Sequence, residues 1–85
     1  MSLDLIYFAW VREAIGKDGE SVDRPAGVET VDSLIGWLSE RGGGYAAAFA
    51  DRARLRAAVD QAFVPLDASI IGASEVAIFP PVTGG

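Results

Sequence analysis

Thr30-Val31-Asp32-Ser33-Leu34-Ile35-Gly36-Trp37-Leu38, running on to Gly42-Gly43-Gly44, is the stretch on which the fold turns. Val31, Leu34, Ile35 and Leu38 recur at the i, i+3, i+4, i+7 spacing that lines one face of a helix. Thr30 is placed to cap it, because a threonine hydroxyl accepts an otherwise orphan N–H of the first turn, and Asp32 stands where the helix dipole favours negative charge. The glycine triplet closes the segment with residues free to adopt positive φ. Gly36 costs about 1 kcal/mol relative to alanine in a helix interior, so it is read as a point of close packing against a sheet.

On either side of this helix the pattern changes to that of strands. Toward the N-terminus, Leu3-Asp4-Leu5-Ile6-Tyr7-Phe8-Ala9 is apolar on both alternating faces after Asp4, as expected of an interior strand central in its sheet. Trp10–Ile15 has room for one helical turn before the turn at Lys17-Asp18-Gly19, and Glu20–Asp23 reads as a short, exposed second strand. Toward the C-terminus, Tyr45–Ala50 has the composition of a shorter second helix. Leu55–Val59 and Ala62–Val64 read as a hairpin joined at Asp60-Gln61, and Glu75–Phe79 reads as a last strand stopped by Pro80, which has no N–H for the ladder. The order strand, strand, helix, strand, strand, strand predicts an α+β domain of β-grasp (ubiquitin-like) type, a mixed sheet of about five strands under one main helix. A single domain over residues 1–85 with an extended tail at 80–85 is the expected organisation.

Composition narrows the chemistry. The 85 residues are 51% hydrophobic and 22% charged, which places the chain among globular rather than disordered proteins. The sequence has neither cysteine nor histidine, the side chains that most nucleophilic, general-base and zinc chemistry uses. A self-sufficient enzyme and a metal site are therefore not expected. The net charge of −5 opposes nucleic acid and anionic lipid and favours basic partners, and no apolar run approaches the roughly 20 residues that span a bilayer. A soluble cytoplasmic protein is expected.

The chemistry is carried by the tail, Ala77-Ile78-Phe79-Pro80-Pro81-Val82-Thr83-Gly84-Gly85. The chain leaves the sheet at Phe79, crosses two prolines that cannot rejoin it, and ends on two residues without side chains. Extended, Phe79 to Gly85 spans at most about 20 Å, enough to carry a terminal carboxylate into another protein's cleft. Without Cβ atoms Gly84 and Gly85 pass a narrow channel, and the prolines preset part of the conformation that threading would otherwise have to order. A carboxylate is a poor electrophile until activated, for instance as an acyl-adenylate. The sequence has no P-loop, so activation, and the ATP it consumes, belong to a separate enzyme.

This tail resembles the C-terminal signature of the small subunit of molybdopterin synthase, a ubiquitin-like sulfur-carrier family. Ile6-Tyr7-Phe8-Ala9-Trp10-Val11-Arg12-Glu13 is similar to that family's first strand and turn, and Leu55-Arg56-Ala57-Ala58-Val59-Asp60-Gln61 to its middle segment. The resemblance implies a β-grasp fold and a Gly85 that is adenylated by an E1-like enzyme and then thiocarboxylated, with Gly84 beside it. It implies sulfur donation to a pterin precursor in a heterotetramer of two small and two large subunits, with the catalytic side chains on the large subunit and no cofactor bound by this chain. It further implies an apolar partner interface at Phe8, Phe63 and Phe79, continued by Pro80, Pro81, Val82 and Thr83. Phenylalanine is more commonly a core residue, and aromatic enrichment at interfaces favours the patch chiefly for Phe63 and Phe79.

Other residues carry weaker signals. Arg12 and Glu13 are explained as well by a surface ion pair, Arg52, Arg54 and Arg56 by a solvated basic face that could also meet an acidic partner, and Lys17 by solvation alone. Three further readings share the fold: a sulfur carrier for thiamine or tRNA thiolation, a modifier conjugated to lysine through Gly85, and an interaction module without carboxyl chemistry.

Overall fold

A computed structural model of the chain, which describes residues 2–81, contains five strands and three helices. They are β1 (Ser2–Tyr7), α1 (Ala9–Ile15), β2 (Gly19–Asp23), α2 (Val31–Ser39), α3 (Gly43–Ala48), β3 (Arg56–Val59), β4 (Ala62–Val64) and β5 (Glu75–Phe79), with a 3₁₀ turn at Arg52–Arg54. The sheet order is β2-β1-β5-β3-β4, with β1 and β5 parallel and the other pairs antiparallel. This is the β-grasp arrangement that the element order predicts.

The helices all cover one face of the sheet. Val31, Leu34, Ile35 and Leu38 of α2 are fully buried, as their spacing requires, against Leu3, Leu5 and Tyr7 of β1, Val76 and Ile78 of β5, and Phe49 after α3. Each such side chain contributes roughly 1.5–3 kcal/mol relative to exposure. The reading of β1 as apolar on two covered faces is thereby corrected. Leu3, Leu5 and Tyr7 are buried, whereas Asp4 and Phe8 on the other face are exposed and Ile6 is half-buried. The strand is interior, but the middle place belongs to β5.

The start of α2 is satisfied completely at its first three donors. Thr30 Oγ1 accepts from the Ser33 N–H at 3.1 Å while Ser33 Oγ accepts from the Thr30 N–H at 2.9 Å, a reciprocal cap. The Val31 and Asp32 N–H groups donate to the Ala68 and Leu66 carbonyls, so the loop after β4 is clamped onto the helix.

One glycine expectation comes out differently. A Cβ on Gly36 would meet only the Arg52 guanidinium, at 3.2 Å, so this glycine faces an arginine and not the sheet. The close approach lies at Gly44, where a Cβ would stand 2.0 Å from the Ala14 carbonyl oxygen; only glycine lets α3 pack on the end of α1. The triplet thus both breaks the chain between two helices, with Gly42 and Gly43 at positive φ, and seats the second one. α1 is also longer than the single turn expected, at 7 residues.

A polar hub ties β2 to this helical layer. Glu20 Oε2 accepts from Tyr7 Oη at 2.8 Å and from Tyr45 Oη at 2.6 Å, and its Oε1 from Arg41 at 2.9 Å, with Lys17 Nζ 3.5 Å away. Lys17 therefore has a partner, beyond the solvation expected of it. Partial burial alone would raise the Glu20 pKa; the hydrogen bonds from Tyr45, Tyr7 and Arg41 outweigh it and hold the carboxyl at about 2 instead of 4.5. Burial, with the neighbouring carboxylate, pushes the Tyr7 phenol up.

The expected hairpin turn falls on Asp60 and Gln61, both at positive φ (48° and 71°) as a two-residue primed turn demands. The Asp60 carboxylate accepts from the Ser74 and Glu75 N–H groups at 2.9 and 3.0 Å, locking the turn to the start of β5. Glutamine gains nothing comparable from its left-handed backbone. Gln61→Gly should therefore raise stability by about 0.5–1 kcal/mol in urea unfolding, and an unchanged midpoint would contradict strain at this position. Glu20, with a depressed folded-state pKa, contributes stability that is complete above pH about 4.5 and is lost as pH falls through about 2. Glu20→Gln should accordingly be less stable by about 1–3 kcal/mol at pH 7, with the gap to the parent closing between pH 4.5 and 2; a gap independent of pH would rule this out.

Candidate functional site

The face of the sheet turned away from the helices is bare, and half of it is apolar. Register places Ile6 beside Ala77, Ala77 beside Ala58 and Ala58 beside Phe63, a row running from β1 across β5 and β3 to β4. Two alanines in the middle of this row leave a shallow depression of about 630 Å³, whose walls are larger side chains. Phe8 stands at the end of β1, Phe79 at the end of β5 and Phe63 on β4.

The three phenylalanines form one aromatic wall. The ring of Phe79 lies 6.5 Å from that of Phe8, edge-on, and 5.7 Å from that of Phe63. Phe63 is 84% exposed and Phe8 47%, against none for the core Phe49, while Phe79 is half-buried between its neighbours. The core reading of these rings is thus excluded. Contiguous exposed aromatics of this kind mark an interaction surface, because a monomer gains nothing by leaving them in water.

The tail starts from this wall. Parallel pairing of β1 with β5 brings both strands to the same edge, so Phe8 and Pro80 are neighbours there. Pro80 and Pro81 are half-buried and line the depression. Val82, Thr83, Gly84 and Gly85, named from the sequence as interface and reactive residues, lie outside the described residues. Ala9, also at the rim, has positive φ (53°), which turns the chain sharply from β1 into α1 and leaves Phe8 projecting at the corner.

The remaining sequence candidates separate. Among the described residues the carboxylate ion pairs are those of Lys17 and Arg41 with Glu20 and of Arg52 with Asp32, so Arg12 and Glu13 form none; neighbours along a helix point about 100° apart. The arginine cluster divides three ways: Arg52 pairs with Asp32, Arg54 lies over the Trp10 ring at 4.9 Å, and Arg56 donates to the Ala53 and Leu55 carbonyls. No group of three or more acidic side chains able to hold a metal exists among the described residues, and none of their helices is long and apolar enough to cross a membrane. Sequence reasoning missed the alanine floor and Ile6; the alternation of Ile6 with Leu5 and Tyr7 was the signal for it.

Residues 5–85 match the ThiS family. The chain belongs to that family. Among curated relatives it is 39% identical over 83 residues to the molybdopterin synthase sulfur carrier subunit of Escherichia coli, covering 98% of this chain and 99% of that one. The protein of the same name from Haemophilus influenzae is 32% identical over the same coverage. Of solved structures, the putative molybdopterin converting factor, subunit 1, from Pyrococcus furiosus superposes with a TM-score of 0.70 at 26% identity over 96% of this chain and 99% of that one. SAMP1 from Haloferax volcanii superposes with a TM-score of 0.70 at 24% identity over the whole of both chains, a likeness of fold.

Exposure separates the site rings from the core ring energetically. Phe63→Ser should leave the urea midpoint within about 0.5 kcal/mol of the parent, whereas Phe49→Ala should cost about 3–5 kcal/mol. Equal losses from the two would show that Phe63 is held in the fold and does not serve a surface.

Proposed function

We propose that this chain is a sulfur carrier, the small subunit of a molybdopterin synthase, with the Gly85 carboxylate as its working group. The observation that carries the reading is an apolar wall of Phe8, Phe63 and Phe79 at the very edge of the sheet from which the tail departs. Membership of the ThiS family and the names of the E. coli and H. influenzae relatives support it.

The division of labour follows from the chain's chemistry. An E1-like enzyme joins the Gly85 carboxylate to the AMP moiety of ATP with loss of pyrophosphate, and a sulfur nucleophile then displaces AMP to leave a thiocarboxylate. The large subunit docks on the aromatic wall, receives Pro80–Gly85 in its active site, and passes the sulfur to a pterin precursor there. The chain itself supplies anchor, tether and sulfur, which requires neither cysteine nor histidine and no cofactor of its own. Two copies of each subunit make up the working assembly.

Co-production with its activating enzyme should raise the intact mass by about 16 Da, sulfur for oxygen. Gly85→Ala should fold normally yet transfer sulfur at least about tenfold more slowly, since a Cβ obstructs the cleft. Higher-mass conjugates on lysines in place of the thiocarboxylate, or normal turnover by the alanine variant, would overturn the reading.

A further inference from the structure

Charges around the depression are sorted along the strand axis. β1 and β5 run parallel and β3 runs against them, so one end of the open face carries Asp4 and Glu75, and the other carries Arg56 beside Phe79. Arg56 flanks Phe63 and Phe79, with its guanidinium steadied on the Ala53 and Leu55 carbonyls. Arg54 joins it at this end, stacked on Trp10, two residues past Phe8. Asp60 adds a carboxylate at the opposite end, where the hairpin meets Glu75.

The net charge is −5, and of the seven cations Lys17, Arg41 and Arg52 are engaged with carboxylates elsewhere, whereas Arg12, Arg24, Arg54 and Arg56 meet none among the described residues. Two of these four, Arg54 and Arg56, stand at the edge where the tail leaves. We propose that the depression is an electrostatically oriented docking face: the large subunit presents carboxylates to Arg54 and Arg56 and cations to Asp4 and Glu75, around an apolar centre.

The physical need for such a device is directional. Apolar burial is proportional to area and indifferent to rotation, so a nearly flat wall of three rings and two alanines accepts several orientations of a partner. Only one of them aims the tail into a cleft. Charges at opposite ends penalise the reversed docking by like-charge contact and accelerate the correct encounter, an effect on association rate more than on final affinity. The inference rests on the sulfur-carrier reading for the identity of the partner.

The test is the association rate of this chain with purified large subunit of molybdopterin synthase from the same source, by stopped flow at low and high salt. Arg56→Glu combined with Glu75→Arg reverses the sorting at an unchanged net charge of −5, and Arg54→Glu is a second, exposed variant whose folding is checked by the same thermal melt. Both should associate at least about fivefold more slowly at low salt, with the deficit shrinking at high salt. A folded swap variant that associates at the parental rate, or an Arg54→Glu variant with parental salt dependence, overturns the orientation while leaving the sulfur-carrier reading intact. Failure of the parent chain itself to bind the large subunit overturns that reading, and the orientation with it.

Discussion

Everything in this structure follows from the parallel pairing of β1 with β5. Two strands that are the first and last elements among the described residues run side by side in the same direction, so they finish at the same edge. A parallel neighbour cannot be reached by a tight turn, and the long crossover between them is where α1, α2 and α3 are accommodated. The helices fall on one face because that is where Leu3, Leu5, Tyr7, Val76 and Ile78 point. The other face is left with Phe8 and Phe79 side by side at the tail's point of departure.

One-sidedness is therefore a functional property of the sheet. On the covered face, large side chains interdigitate with α2 and no cavity is needed. On the bare face, alanines at 58 and 77 keep the floor low while three phenylalanines raise the wall, so the surface is shaped to be filled from outside. The ThiS family membership and this shape are compatible, since an exposed aromatic face offers a grip to another protein.

Much of this was legible in the sequence, and the parts that were not have physical reasons. The spacing of Val31, Leu34, Ile35 and Leu38 determined α2 and its buried face, Thr30 its start, and Asp60-Gln61 the hairpin. β1 misled because Ile6 and Phe8 are as apolar as Leu5 and Tyr7: a strand buried on both faces and a strand with one face reserved for a partner have the same composition. Gly36 misled because a glycine in a helix announces closeness without naming the neighbour, which here is the Arg52 side chain. The Glu20 hub was invisible, since Tyr7, Glu20, Arg41 and Tyr45 converge only after β2 has folded back and α3 has docked. Pro80 and Pro81 were read correctly as the departure from the sheet, and their position in the wall of the depression follows from register alone.

The placement of β5 also sets when the molecule can become itself. Until Glu75–Phe79 emerges from the ribosome, β1 has only β2 and β3 only β4 to pair with, and no ladder can join the two pairs. The late strand is the keystone that joins them, and its contacts with β1 lie roughly 70 residues apart in sequence, the slowest kind to form. Synthesis that stalls before that strand yields fragments without a completed sheet, open to proteolysis, so the cell's stock of folded carrier is drawn from chains already translated to the threshold of the tail.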